Sequence, residues 1–167
     1  MPPSWMAACT FTARGLAGHL PVGTTGRRDE MTKVKMETEL PVEPENVWET
    51  VGRFNALQEW HPAVESSEME EGGKVRRLRL AGGGEIVERL EQLDEEGHAY
   101  RYSIVSSPLP VGRYTATIRV RPAPDGKGSV VEWSSDFEPQ GPEQEALETI
   151  RGIYQAGFDN LRKLFGG

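Results

Sequence analysis

"GPEQEALETIRGIYQAGFDNLRKLFGG", residues 141–167, carries the clearest periodic signal in the chain. Leu147, Ile150, Tyr154, Phe158, Leu161 and Phe165 recur at spacings of three and four, with Gly157 and Leu164 beside them. That spacing puts them on one apolar stripe of a helix. Glu143, Glu145 and Glu148 come early and Arg162 and Lys163 late, as the helix dipole favours, and Gly166 is a natural stop. A long helix with one apolar face needs a curved sheet to lie on.

The preceding residues supply strands. "AYRYSIV" (99–105), "RYTATIRVRP" (113–122) and "SVVEWSSDF" (129–137) alternate with period two and are rich in aromatic and β-branched residues. Their inward set is Tyr100, Tyr102 and Ile104, then Tyr114, Ala116 and Ile118, then Val131, Trp133, Ser135 and Phe137. The turn "PAPDGKGS" joins the last two strands. "EIVERLEQLDEE" (85–96) fits a helix by Ile86, Leu90 and Leu93, but the glycines before it and "DEEGHAYRYSIV" after it favour one arm of a hairpin. Strands are also expected over 63–70 and 74–81, around "EEGG". "KVRRLRL" (74–80) reads as a strand with a solvated basic face. "AGGGE" (81–85) is a hairpin turn; it lacks the Lys-Ser/Thr ending of a phosphate loop and precedes a strand.

Toward the N-terminus, "KVKMETELPV" (33–42) alternates, with Val34, Met36, Thr38 and Leu40 on one face. In "VEPENVWETVGRF", Pro44 suits a first helical turn and Val47, Trp48 and Val51 share a face. "NALQEW" forms a second short helix or turn, which Pro62 stops. Residues 1–30 have no hydrophobic period and match neither a secretory signal nor an amphipathic transit peptide. They are expected to be a disordered extension, with residues 31–167 as one domain.

Composition excludes several classes. The net charge is −7, and residues 1–30 contribute +1, leaving −8 on the rest. An acidic body lacks the basic face that nucleic acid requires. No apolar run reaches the length of a membrane span. The single cysteine, Cys9, excludes an internal disulfide and fits a reducing, cytoplasmic location. His19, His61 and His98 show no ligand spacing, so no metal and no cofactor are expected.

The order of elements, with "ELPVEPENVWETVGRFNALQEWHPAV", "GEIVERLEQLDEEGHAYRYSIV", "PLPVGRYTATIRVRP" and "SVVEWSSDF", resembles the SRPBCC superfamily over Val34 to Phe165. More narrowly it is similar to the polyketide cyclase/dehydrase and lipid-transport-like group, relatives of START domains and the birch-pollen allergen. The resemblance implies an α+β helix-grip fold. A curved antiparallel sheet of about seven strands would hold the C-terminal helix, with two short helices after the first strand. It also implies a cavity between sheet and helix. Members bind lipids, sterols, polyketides and plant hormones, and some cyclise or dehydrate polyketides.

On that reading, "NALQEWHPAVESSEM" (55–69) lies at the cavity mouth, with Trp60 capping the hollow and His61 at its rim. His61 is the candidate acid/base group; the plain alternative is a histidine exposed to water or bonded to backbone. Glu88 shares parity with Ile86 and Leu90, and if they face inward it does too, with a raised pKa or a cation such as Arg79 or Arg113 beside it. In the other register Val87 and Leu93 face in and Glu88 is solvated. Tyr100, Tyr102, Tyr114 and Tyr154 are candidate hydroxyl contacts for a ligand. Trp48, Trp60, Trp133, Phe137 and Phe158 are candidate apolar walls. Each could equally be core. "SSPLPVG" (106–112) reads as a mobile gate or a rigid loop.

Three functions compete. The first is a binding protein for a small hydrophobic ligand, lipid or polyketide-like. The second is a polyketide cyclase or dehydratase using His61 or Glu88. The third is an interaction or regulatory protein with a filled interior. A hollow above ~300 Å³ would favour the first two. A homo-oligomer is left open.

Overall fold

The computed structural model of the protein describes residues 31–166. The reading of residues 1–30, with Cys9 and His19, lies outside the described residues. The chain runs β1 (Thr32–Leu40), α1 (Pro44–Val51), a single turn at Phe54–Ala56, and α2 (Leu57–Trp60). There follow β2 (Val64–Glu70), β3 (Val75–Leu80), β4 (Glu85–Asp94), β5 (Ala99–Ser106), β6 (Val111–Pro122) and β7 (Ser129–Pro139). The chain then enters α3 (Glu143–Phe165). The seven strands form one antiparallel sheet in the order β1-β7-β6-β5-β4-β3-β2, curved around α3.

Local chemistry explains the boundaries. Pro44 opens α1 where a missing N–H costs nothing, and the acidic first turn of α3 meets the positive end of its dipole. Gly166 closes α3 at φ 75, a conformation suited to glycine. Register shifts place an extra residue in each of β2, β4, β5 and β6. Each lets a long strand bend, which is how the sheet curls without breaking its ladder.

The parity expected for β5, β6 and β7 is observed. Tyr100, Tyr102, Tyr114, Ala116, Ile118, Val131, Trp133, Ser135 and Phe137 are buried, and Ile104 is half-buried near the open end. On α3, Ile150, Tyr154, Gly157, Phe158 and Leu161 are buried, whereas Leu164 is exposed past the edge of the core. The segment 85–94 is a strand, as its glycine-rich flanks suggest.

One close contact sets how near α3 comes to the sheet. Trp133 stacks on Tyr154 with ring centroids 4.1 Å apart and planes 16° apart. One helical turn later, Gly157 faces the rings of Trp60, His61 and Trp133. A methyl group there would lie 2.9 Å from Trp60 and 3.1 Å from Trp133. The small residue therefore makes room for three rings. It does not leave a void. The interior is accordingly more solid than the sequence suggests, because large aromatics from α2 and β7 fill the space that Gly157 opens.

Gly157→Ala tests this. Helix propensity alone would stabilise by about 1 kcal/mol. Overpacking against rigid rings should reverse the sign and leave a net loss of roughly 1–2 kcal/mol. Urea unfolding of the variant should show a lower midpoint; an unchanged or higher one would mean that the rings yield freely.

Candidate functional site

Between α3 and the sheet lies a hollow of about 40 Å³. Leu57, Leu78, Leu80, Ile86, Ile104, Leu109, Ile150 and Ile153 make it apolar. Its polar groups come from His61, Glu88, Tyr102 and Tyr114, with Trp133 as a further aromatic wall. This volume is well below the expected threshold of ~300 Å³ for a ligand pocket. It is room for about one or two water molecules. The physical reason is the aromatic filling around Gly157 together with a buried arginine.

That arginine is Arg76, which is fully buried. Its Nε donates to Oε2 of Glu88 at 2.6 Å, and its Nη2 lies 2.5 Å from the same oxygen. Its Nη1 donates to the carbonyl of Phe54 at 2.6 Å. The guanidinium carbon sits 4.1 Å from the Phe54 ring and 5.1 Å from that of Tyr102, so aromatic faces replace part of its lost hydration. The register pairs Arg76 directly with Glu88 across β3 and β4. Glu88 therefore takes the inward register, and its cation is Arg76. Arg79 is exposed, and Arg113 is exposed with its Nε 3.7 Å from Glu138. The basic face expected of β3 is thus incomplete: Arg76 points in with Leu78 and Leu80, whose parity it shares. That shared parity was the available signal.

Burial works against the Arg76 charge, but the charge and hydrogen bond of Glu88 oppose it, and the guanidinium is held above its ordinary value. Burial likewise pushes the Glu88 carboxyl up, with Arg76 pulling it down. Both contacts with Arg76 use Oε2.

His61 is not at the rim. It is 2% exposed, and the exposed member of the Trp60-His61-Pro62 trio is Pro62. Its Nδ1 accepts the N–H of Ala63 at 3.2 Å. That assigns the ring proton to Nε2, which donates to the carbonyl of Ile153 on α3 at 2.8 Å. Burial lowers its pKa to about 4, although the Ile153 bond opposes the shift. At neutral pH the ring is an uncharged tie between the end of α2 and the middle of α3. Asn160 makes a parallel tie to the carbonyl of Trp60 at 2.8 Å.

A chain of hydroxyls crosses the core. The indole N–H of Trp133 donates to Tyr102 at 3.0 Å, Tyr102 and Tyr114 hydroxyls lie 3.3 Å apart, and Tyr114 is bonded to Tyr154. Burial raises the pKa of all three tyrosines, so they act as neutral donors and acceptors.

Of the candidate residues, the hollow brings together His61, Glu88, Tyr102, Tyr114 and Trp133. The others pack elsewhere. Trp48 donates to Glu95 at 2.9 Å and stacks on His98. Trp60 packs on Trp133, Tyr100 on Phe54, Phe137 on Tyr114, and Phe158 on Trp133. Tyr154 does not line the hollow but joins two residues that do, bonded to Tyr114 and stacked on Trp133. Leu109, from the loop before β6, was not singled out in the sequence; a leucine between two prolines carries no period that would reveal its direction. Among the described residues no three His, Cys, Asp or Glu side chains form a metal-ligand set.

The chain matches the family model described as polyketide cyclase/dehydrase and lipid transport over residues 31–166. It belongs to that family. It is similar to the protein XoxI from Bacillus cereus, at 38% identity over 82% of this chain and 96% of that one, with a TM-score of 0.75. A putative uncharacterised protein from Bacillus thuringiensis matches at 36% identity over 81% and 100% of the two chains, TM-score 0.79. Ginseng major latex-like protein 151 from Panax ginseng shares 16% identity over 82% and 99%, TM-score 0.69, which shows the common helix-grip fold alone. Family membership supports a ligand-binding role in general terms. Among the described residues no helix is long and apolar enough to cross a membrane.

Two measurements check the site. His61 has a folded pKa near 4 against an unfolded value of 6.5. The unfolded chain thus binds more protons between these values, and stability is complete above about pH 6.5 and lost as pH falls toward 4. The loss should total about 3 kcal/mol and should vanish in His61→Asn. Chemical unfolding across pH 4–7 reads both, and an unchanged slope in the variant would refute the assignment. For the buried pair, Arg76→Met or Glu88→Gln alone should cost roughly 3–5 kcal/mol, whereas Arg76→Met with Glu88→Leu should cost less than either. Additive losses would show that the two groups are not coupled.

Proposed function

We propose that this protein binds a small hydrophobic or aromatic molecule, lipid or polyketide-like, between α3 and the sheet. The supporting observation is an apolar hollow with only a few convergent polar groups, at the place where helix and sheet separate. Its present volume of about 40 Å³ requires that binding enlarge it. The enlargement has a natural site. Leu109 reaches the hollow from a short loop held by local bonds: Ser107 accepts the N–H of Leu109, and Pro110 accepts that of Gln140. Ile104 and Ile153, also lining it, are only half-buried.

The small volume is also the observation that favours a second reading, an interaction or regulatory protein whose interior is simply core. Acid/base chemistry of the cyclase or dehydratase kind has less support. Both His61 nitrogens are committed to backbone groups and Glu88 is clamped by Arg76, so either would first have to be released.

Native mass spectrometry of the freshly purified full chain should reveal a co-purified small molecule. Leu109→Ala, which removes a plug from the hollow, should increase the affinity for naphthalene at least fivefold by calorimetry. A chain that carries no adduct and binds naphthalene in neither form would support the filled-core reading.

A further inference from the structure

The buried ion pair is not symmetric with respect to the hollow. Glu88 lines it and Arg76 does not. The guanidinium lies behind the carboxylate, with two contacts to Oε2, one bond to the Phe54 carbonyl and the Phe54 ring against its face. The pair therefore shows its negative end to the interior. Both contacts with Arg76 fall on Oε2, so Oε1 stands outside the ion pair, and Glu88 keeps slight exposure at 5%. The other polar groups do not reverse this polarity. His61 is neutral, with its one N–H given to Ile153. The hydroxyls of Tyr102 and Tyr114 are engaged with Trp133, with each other and with Tyr154. Among the described residues no cationic side chain lines the hollow.

We propose that the hollow selects an uncharged apolar molecule bearing a hydroxyl or N–H donor, and rejects the corresponding carboxylate, because Glu88 presents a hydrogen-bond acceptor to it while Arg76 lies behind. This deepens the binding function proposed above and rests on it. An alcohol or phenol donates to Oε1 and leaves the buried pair electrically neutral. A ligand carboxylate would place a second negative charge beside Glu88 in an apolar space where the one nearby cation, Arg76, is already paired, which is costly. An ammonium group would leave a net positive charge on the ligand and pair together, again without water to solvate it. Phenols and alcohols of the polyketide and isoprenoid kind fit this description; ionised fatty acids do not.

The test compares 2-naphthol, 2-naphthoate and naphthalene, which share one ring system, by calorimetry with the full chain at pH 7. The expected result is 2-naphthol binding at least tenfold more tightly than 2-naphthoate, with naphthalene between them. Binding of 2-naphthoate as tightly as 2-naphthol, or more tightly, would overturn the inference while leaving the binding function intact. Binding of none of the three would remove the binding function and the inference together. Arg76→Met with Glu88→Leu replaces the pair by apolar groups, and it should bring 2-naphthol and naphthalene to within about twofold of each other. If the double variant does not fold, the ligand series on the unaltered chain still decides.

Discussion

The approach of the terminal helix to the bent sheet is the constraint on which the other features depend. It is set where Gly157 admits the rings of Trp60, His61 and Trp133 and where Tyr154 stacks on Trp133. Because the contact is aromatic on both sides, it is stiff. Two polar ties reinforce it, His61 to the carbonyl of Ile153 and Asn160 to that of Trp60. Both join the end of α2 to α3, so the short helix, the long helix and the centre of β7 behave as one packed unit. The hollow lies on the far side of that unit, toward β3, β4 and β5.

That geometry decides what the polar groups can do. A histidine beside a cavity invites a catalytic reading, but here each ring nitrogen has a backbone partner and burial keeps the ring neutral. A buried glutamate invites the same reading, yet it is spent on an arginine that would otherwise be an unpaired charge in the core. What remains for recognition is one carboxylate oxygen, two engaged tyrosine hydroxyls and an apolar wall. Such a surface is better suited to orienting a small molecule than to moving protons on it.

Much of the architecture was legible in the strand alternation and the helical stripe, since burial of one face imposes period two on a sheet and about 3.6 on a helix. The parity shared with Ile86 and Leu90 offered an inward Glu88 but left the opposite register, with Val87 and Leu93 inward, equally open. The partner of Glu88 was not legible, because four basic residues in "KVRRLRL" look alike until the register places Arg76 opposite it. The size of the hollow was equally out of reach. Gly157 next to large aromatics is compatible with a void or with a close contact, and only the positions of Trp60 and Trp133 show that it is a contact. His61 was expected at a rim because the family resemblance places its segment at the cavity mouth; the chain turns it inward and leaves Pro62 in solvent.

By itself the sequence determined the element order and the faces that are buried, because these follow from local periodicity and from the need to cover one apolar helix face; the helix-grip arrangement came from the resemblance to a known family. Tertiary structure alone decided which charges meet, how little space is left inside and which end of the buried pair faces it. Those quantities arise from residues far apart in the chain, whose separation is set by side-chain volume and strand register, and neither leaves a periodic trace in the sequence.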